Sequence, residues 1–287
     1  MDPMSQIVLS YIQATQLLQA CREGQRAAMV SLDLGLSTSE VTLEPDGVRL
    51  PDGHLLRWED VATIRESERS CFAIEEGRPR KIQLFSEHTT RFYSLMPTTG
   101  APTLLVSGFT MHRIKGVDPY QDTLRKLKTI APLVGQVLDT ATGLGYTAIE
   151  AAKTADHVIT IELDPAVLEI ARQNPWSQAL FNNPRITQII GDSFEEVQRF
   201  DDAAFDRIIH DPPVFSLAGE LYSLEFYRQL FRVLKPGGRL FHYIGDLESP
   251  SGRTVARGVV RRLEEAGFQR VLRRPEAFGL VAYKERR

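Results

Sequence analysis

Apolar residues at Ile7, Leu9, Ile12, Leu17 and Leu18 recur at helical spacing between about Ser5 and Arg22. They predict an amphipathic helix ending near Gly24. The pattern then changes. Over residues 28–116, short runs alternate apolar and polar positions (41–44, 48–50, 81–85 and 91–95). The dipeptides Asp46-Gly47, Asp52-Gly53 and Glu76-Gly77 separate these runs. Alternation bounded by such turns predicts antiparallel hairpins. A short helix is expected over 58–64, and residues 1–116 read as a separate, smaller N-terminal α+β domain for substrate recognition or dimerisation.

Asp118 before Pro119 is a helix N-cap with proline in the first turn, and it opens the second domain, 117–287. Leu124, Leu127 and Ile130 mark the helix that follows. Strands are then predicted at 135–139, 157–162, 186–190, 205–210 and 238–244, with helices at 145–153, 165–173, 193–200, 219–234 and 253–266. Strands alternating with helices predict an α/β fold with a mostly parallel sheet covered on both faces. The segments 269–273 and 279–283 end the chain as a hairpin-like pair, a late antiparallel element.

Composition narrows the class. The 287 residues are 43% hydrophobic and 25% charged, which fits a globular protein with a substantial core. The formal charge of −3 does not announce nucleic acid, although a local basic face is compatible with it. Cys21 and Cys71 are far apart and form no metal or redox motif, so reduced thiols in a cytoplasmic protein are expected. The N-terminus lacks the basic start of a signal peptide, and no apolar run approaches a membrane span. Six scattered histidines give no metal-ligand spacing, so no metal is expected.

The candidate chemistry gathers at the predicted carboxyl ends of strands, where open α/β sheets bind ligands. In 137–148 a strand ends at Asp139, Gly143 and Gly145 sit in the turn, and a helix pattern begins at Tyr146. Such a turn offers backbone N–H groups to a ligand. Glu162, ending the second strand, is placed to accept both hydroxyls of a ribose, with Leu163 beside it to pack on a base; its alternative role is a helix cap. Asp192, followed by Ser193 and Phe194, ends the third strand and faces the same alternative.

The most specific stretch is 205–215, in which a buried strand ends at His210-Asp211-Pro212-Pro213. Two prolines force an extended, rigid turn. The Asp211 carboxylate and the Pro212 carbonyl then form two acceptors for one amino group. Pulling on both N–H bonds frees the nitrogen lone pair for attack on an activated methyl group. The bland alternative is that Pro212-Pro213 only stops the strand.

The acid-x-Ala-x-Gly-x-Gly turn resembles the first motif of class I S-adenosylmethionine-dependent methyltransferases. Asp211-Pro212-Pro213 resembles the signature of amino methyltransferases acting on adenine, cytosine or an amide nitrogen. That resemblance implies a Rossmann-like class I methyltransferase sheet, parallel with a late antiparallel strand, and S-adenosyl-L-methionine as cofactor. It implies cofactor contacts from Asp139, Thr140, Ala141, Gly143, Gly145, Tyr146, Thr147, Glu162, Leu163, Asp192, Ser193, Phe194 and Asp211. Catalysis falls to Asp211, Pro212 and Pro213. Val214 stands where the signature has an aromatic residue, so His210, Phe215 and Tyr222 become the candidates for substrate contact.

Segments 31–37, 110–126, 139–153 and 210–227 together resemble an archaeal-type predicted methyltransferase family associated with methylating the 4-amino group of cytidine in ribosomal RNA. The resemblance covers nearly the whole chain and implies an RNA modification enzyme with RNA as partner, or a homodimer built through the N-terminal domain. Arg253, Arg257, Arg261 and Arg262, with Arg270, Arg273 and Arg274, form a basic face suited to phosphates or simply to solvent. Met111–Lys115 adds a basic segment near the predicted domain junction. Competing readings are N-methylation of a protein amide or small amine, aminopropyl transfer on the same fold, and a binding module without chemistry.

Overall fold

Ser10 fixes where the first helix begins. Its hydroxyl accepts the Ile12 N–H, and the Gln13 side chain accepts from the Ser10 N–H at 3.0 Å, closing a capping box. The helix therefore runs Tyr11–Arg22. It starts later than the expected Ser5 because Val8–Leu9, fully buried, is a strand paired antiparallel with Phe72–Glu75.

The computed structural model describes residues 6–213 and 218–286. It divides into two compact units, Met1–Tyr120 with Ala166–Gln178, and Gln121–Pro165 with Ala179–Arg287.

In the first unit the hairpins form antiparallel sheets. One orders Ala27–Val30, Ser39–Glu44, Gly47–Arg49 and Leu55–Arg57. Another joins Gln83–Ser86, Arg91–Met96, Thr103–Val106 and Phe109–Thr110. Glu76 and Gly77 both take positive φ, at 50° and 77°, the primed turn that closes Phe72–Glu75 onto Arg78–Lys81. Gly47 is needed for a different reason: a Cβ there would lie 2.3 Å from the Leu56 carbonyl oxygen. Leu9, Leu17, Val48, Leu56, Val61 and Ile64 form the core beneath these sheets.

The second unit holds one seven-stranded sheet. We number its strands in chain order: β1 (Gln136–Asp139), β2 (His157–Glu162), β3 (Ile186–Ile190), β4 (Phe205–His210), β5 (Leu234–Tyr243), β6 (Arg270–Arg274) and β7 (Gly279–Tyr283). Their spatial order is β3-β2-β1-β4-β5-β7-β6. The first five are parallel, and β7 runs antiparallel to both β5 and β6. This is the Rossmann-like sheet with a late antiparallel strand. Phe205, Ile208, Phe226, Leu230, Leu240 and Leu263 are among the residues that close its core.

Two elements differ from expectation. The helix expected over 219–234 is a 3₁₀ turn, Gly219–Tyr222, followed by Leu224–Val233. Ser223 is extended at the break, and its hydroxyl accepts the Phe226 N–H. β5 starts at Leu234 rather than 238: pairing with β4 jumps from Phe205–Leu234 to Arg207–Arg239, so Lys235–Gly238 is an irregularity inside the strand. Gly237 takes φ 84° there while its N–H donates to the Lys284 carbonyl.

No helix among the described residues is long and apolar enough to cross a membrane. Cys71 is buried, which pushes its thiol up in pKa, and Cys21 is exposed.

Replacing the buried Ser10 with alanine is expected to remove the cap and cost about 1 kcal/mol, read as a lower midpoint in urea unfolding with unchanged slope.

Candidate active site

β1 lies between β2 and β4, and all three run parallel. Their carboxyl ends, and the loops that leave them, therefore share one edge of the sheet. The sheet order reverses at β1 and β4, the switch point where open α/β sheets leave a crevice.

The turn after β1 is fastened to both neighbours. The Thr140 N–H donates to the Ile209 carbonyl at 3.0 Å, and the Thr142 N–H donates to the Ile161 carbonyl at 2.9 Å. Gly143 and Gly145 take φ 53° and 78°, a region that side chains other than glycine's rarely adopt. A Cβ on Gly145 would also lie 2.7 Å from a methyl of buried Leu180. Ala141 is half-buried and Tyr146 is buried.

Asp139 is fully enclosed beneath this turn. Its Oδ2 accepts from Thr147 Oγ1 at 2.7 Å and Thr160 Oγ1 at 3.2 Å. Burial pushes its carboxyl up to about 7, and the charge of Asp211 adds to that, against the hydrogen bonds from Thr147, Ala141 and Thr160. Asp139 and Thr147 thus carry the turn from below. Asp139 Oδ1 has no hydrogen-bond partner among the described residues, while Oδ2 is taken by the two threonines.

Glu162 ends β2 and does reach the turn. Its Oε2 accepts the Gly143 N–H at 2.9 Å and its Oε1 accepts the Asp164 N–H at 3.1 Å. Burial pushes it up to about 7, opposed by those two N–H groups. Each oxygen keeps a further lone pair, which suits a pair of hydroxyl donors. Beside it Leu163 and Ile190 are exposed apolar side chains, 43% and 57% accessible, at the ends of adjacent strands. Asp192 caps the short helix Ser193–Glu196 through Phe194 N–H at 2.8 Å, the capping alternative seen in the sequence. Ser193 Oγ donates to the Thr140 carbonyl at 2.6 Å, and Phe194 stacks on Phe226. The carboxylate, the glycine turn and the apolar pair fit a nucleoside-containing ligand.

At the end of β4, Asp211 is held by a residue that the sequence reading missed. Lys126 Nζ lies 2.6 Å from Asp211 Oδ2 and 3.2 Å from Asp122 Oδ2, with the Tyr243 ring centroid 4.4 Å away. Burial would lower the Lys126 pKa, but the two carboxylates outweigh it and hold the ammonium above the ordinary lysine value. Burial raises the Asp211 pKa above the ordinary carboxylate value, and Lys126 draws it only part of the way back. Of the three charged side chains only Asp211 retains solvent access, 19% against 3% for Lys126 and 1% for Asp122. A signal was present: Lys126 shares the helical stripe of Thr123, Leu127 and Ile130, an apolar face with a lysine in it.

The three proposed substrate-contact residues fare differently. His210 is fully buried. Its Nε2 donates to the Leu221 carbonyl at 2.9 Å, so its Nδ1 accepts from Thr140 Oγ1 at 2.7 Å. Burial lowers its pKa to about 3, leaving it neutral and without a ring edge for substrate. This corrects the expectation: β4 is a central strand covered on both faces, so His210 lies in the core. Tyr222 is also buried, and its hydroxyl donates to the Pro213 carbonyl at 3.1 Å, so it braces the Asp211-Pro212-Pro213 turn from behind. Phe215, with Val214, lies outside the described residues.

Among the described residues no cluster of His, Cys, Asp or Glu is placed to hold a metal ion. Part of the basic set is engaged within the chain: the Arg270 guanidinium lies 5.3 Å from the Tyr283 ring centroid, and Arg261 faces Glu265 at 3.5 Å.

Gly145→Ala should destabilise the second unit by about 1–3 kcal/mol, because the added methyl has no room against Leu180 and the φ is adverse. Chemical denaturation is the check, and unchanged stability would contradict the close approach.

Residues 137–238 match the family model described as a methyltransferase domain. The chain is 40% identical over 286 residues to an uncharacterized protein of Methanocaldococcus jannaschii, MJ1233, covering 98% of this chain and 97% of the other. It is 29% identical over 146 residues to putrescine N-methyltransferase 4 of Nicotiana tabacum, a match covering 49% of this chain and 38% of the plant protein. Among solved structures, a spermidine synthase in complex with the transition-state analogue AdoDATO superposes with TM-score 0.58 at 21% identity, covering 74% of each chain. The chain belongs to the same family as MJ1233, and the domain it folds around β1 to β5 is that of a class I S-adenosylmethionine-dependent methyltransferase, an enzyme.

Proposed function

We propose that the protein methylates an exocyclic amino nitrogen, most directly the 4-amino group of cytidine in ribosomal or other structured RNA. The observation that carries the amine assignment is Asp211, the one member of a buried ionic cluster that retains solvent access, on a turn braced by Tyr222. The choice of cytidine rests on the whole-chain resemblance set out in the sequence reading.

S-adenosylmethionine, when bound, supplies an electrophilic methyl group on a sulfonium. The residues that would hold it are Gly143 and Gly145, whose lack of a side chain leaves room for it against the turn, Glu162 through the ribose hydroxyls, and Leu163 with Ile190 beside the base. Asp211 and the Pro212 carbonyl accept the two N–H bonds of the substrate amino group. Held this way, the nitrogen pyramidalises and its lone pair turns out of conjugation with the ring. With that donor bound, the nitrogen would take the methyl group from the sulfonium, leaving the thioether, and Asp211 is the residue placed to take the surplus N–H proton and release it to solvent. Lys126, 2.6 Å from Asp211 Oδ2, favours the ionised form that can receive it. No strong base is needed, because the methyl donor is already activated.

A second reading is methylation of an aliphatic amine, favoured by the similarity to putrescine N-methyltransferase over half the chain. Aminopropyl transfer on the same fold, suggested by the spermidine synthase likeness, needs several acidic residues open to a polyamine. In the described cluster two of the three charged groups are closed to solvent and one is a cation.

Transfer of labelled methyl from S-adenosylmethionine should appear in RNA and not in protein or diamine fractions. Label in putrescine alone would overturn the nucleobase reading. Asp211→Ala should lower turnover by about 10²–10⁴ while S-adenosylhomocysteine affinity changes by less than about threefold. The variant keeps Asp122 to pair with Lys126, so the fold should survive.

The pH dependence of cofactor binding follows from Glu162, which accepts hydroxyl donors best when ionised. S-adenosylhomocysteine affinity, measured by calorimetry, should rise as pH climbs through about 7 and level off above it. Glu162→Gln should weaken binding and flatten that profile; a variant with wild-type affinity and profile would remove Glu162 from the site.

A further inference from the structure

Lys126 is an expensive residue in its position. It is 2% exposed, and a buried ion cluster is commonly no more stable than an apolar replacement of the same shape. Its charge contacts Asp122, Asp211 and the face of Tyr243, so among the described residues one of its partners is the amine acceptor itself.

We propose that Lys126 is a specificity-determining residue, whose ammonium excludes protonated aliphatic amines and reserves Asp211 for a neutral, conjugated amino group. The inference deepens the amine-methylation reading and rests on it. Asp211 Oδ2 already accepts from Lys126 at 2.6 Å, so the other oxygen, farther from that ammonium, is the better acceptor for an incoming amine. A protonated amine there would sit roughly 5 Å from the Lys126 charge, and repulsion at that distance costs on the order of a hundredfold in affinity. A neutral amino group feels no such repulsion and still donates its N–H bonds to an ionised carboxylate. Cytidine and adenine amino groups are neutral at physiological pH; putrescine is a dication. An excluding charge of this kind separates partners by disfavouring the wrong one.

The test compares putrescine and cytidine affinities by calorimetry on protein loaded with S-adenosylhomocysteine. Lys126→Met alone leaves two buried carboxylates without a cation, so it is paired with Asp122→Asn to leave only Asp211 charged. The double variant, shown folded by circular dichroism, should bind putrescine at least about thirtyfold more tightly than the wild type. Lys126→Arg, which keeps the charge, should bind it as weakly as the wild type. Equal putrescine affinity in the folded double variant and the wild type would overturn the inference. If the double variant does not fold, the wild type decides: tighter binding of putrescine than of cytidine overturns it, and the reverse order supports it. Failure of the wild type to label RNA would count against the function proposed above, while the putrescine comparison still decides Lys126.

Discussion

The pairing of β1 with β4 is the constraint on which the site depends. It brings the loop after Asp139 and the loop after His210 to the same edge of the sheet, although 70 residues separate Thr140 from its partner His210. Short bonds then tie the neighbouring strand ends to that pair. Thr140 joins β4 through the Ile209 carbonyl and β3 through Ser193, and Glu162 joins β2 to the glycine turn. Asp139 and Asp211 are close enough for the charge of one to raise the pKa of the other. Slipping one strand by a residue would break several of these links at once, because alternation would send the tip side chains to the opposite face.

Much of this was legible in the sequence because it depends on local pattern. The change from alternating to helical period near Pro119 marked the start of the α/β repeat. The strand tips at Asp139, Glu162 and His210 were fixed by apolar runs ending in a charged or turn residue. What escaped was long-range or a matter of facing. His210 and Tyr222 were offered to a substrate, yet both are buried, His210 in a central strand covered on both faces and Tyr222 at the end of a 3₁₀ turn, and that covering is set by long-range packing. The break at Ser223 was invisible for a related reason: the apolar pattern continues across it, and only the cap geometry ends one helix and starts the next. Lys126 was hidden among the charges of an amphipathic helix, where a lysine reads as solvated until its neighbours on the stripe are seen to be buried.

That lysine changes how the acid after β4 is understood. An isolated carboxylate at a strand tip attracts any cation, including a polyamine. With an ammonium against one oxygen and a second carboxylate behind it, Asp211 becomes an acceptor whose charge is already partly answered. The similarity to putrescine N-methyltransferase spans 146 residues, about half of this chain. Cofactor and reaction type follow from the methyltransferase domain, whereas the class of amine proposed here is argued from the side chains around Asp211.

The most direct measurement is nucleoside mass spectrometry of RNA from cells with and without this protein. The account predicts that a 4-amino-methylated cytidine disappears from RNA when the protein is absent and returns with the wild-type chain but not with Asp211→Ala. An unchanged nucleoside profile, accompanied by loss of an N-methylated aliphatic amine, would contradict it.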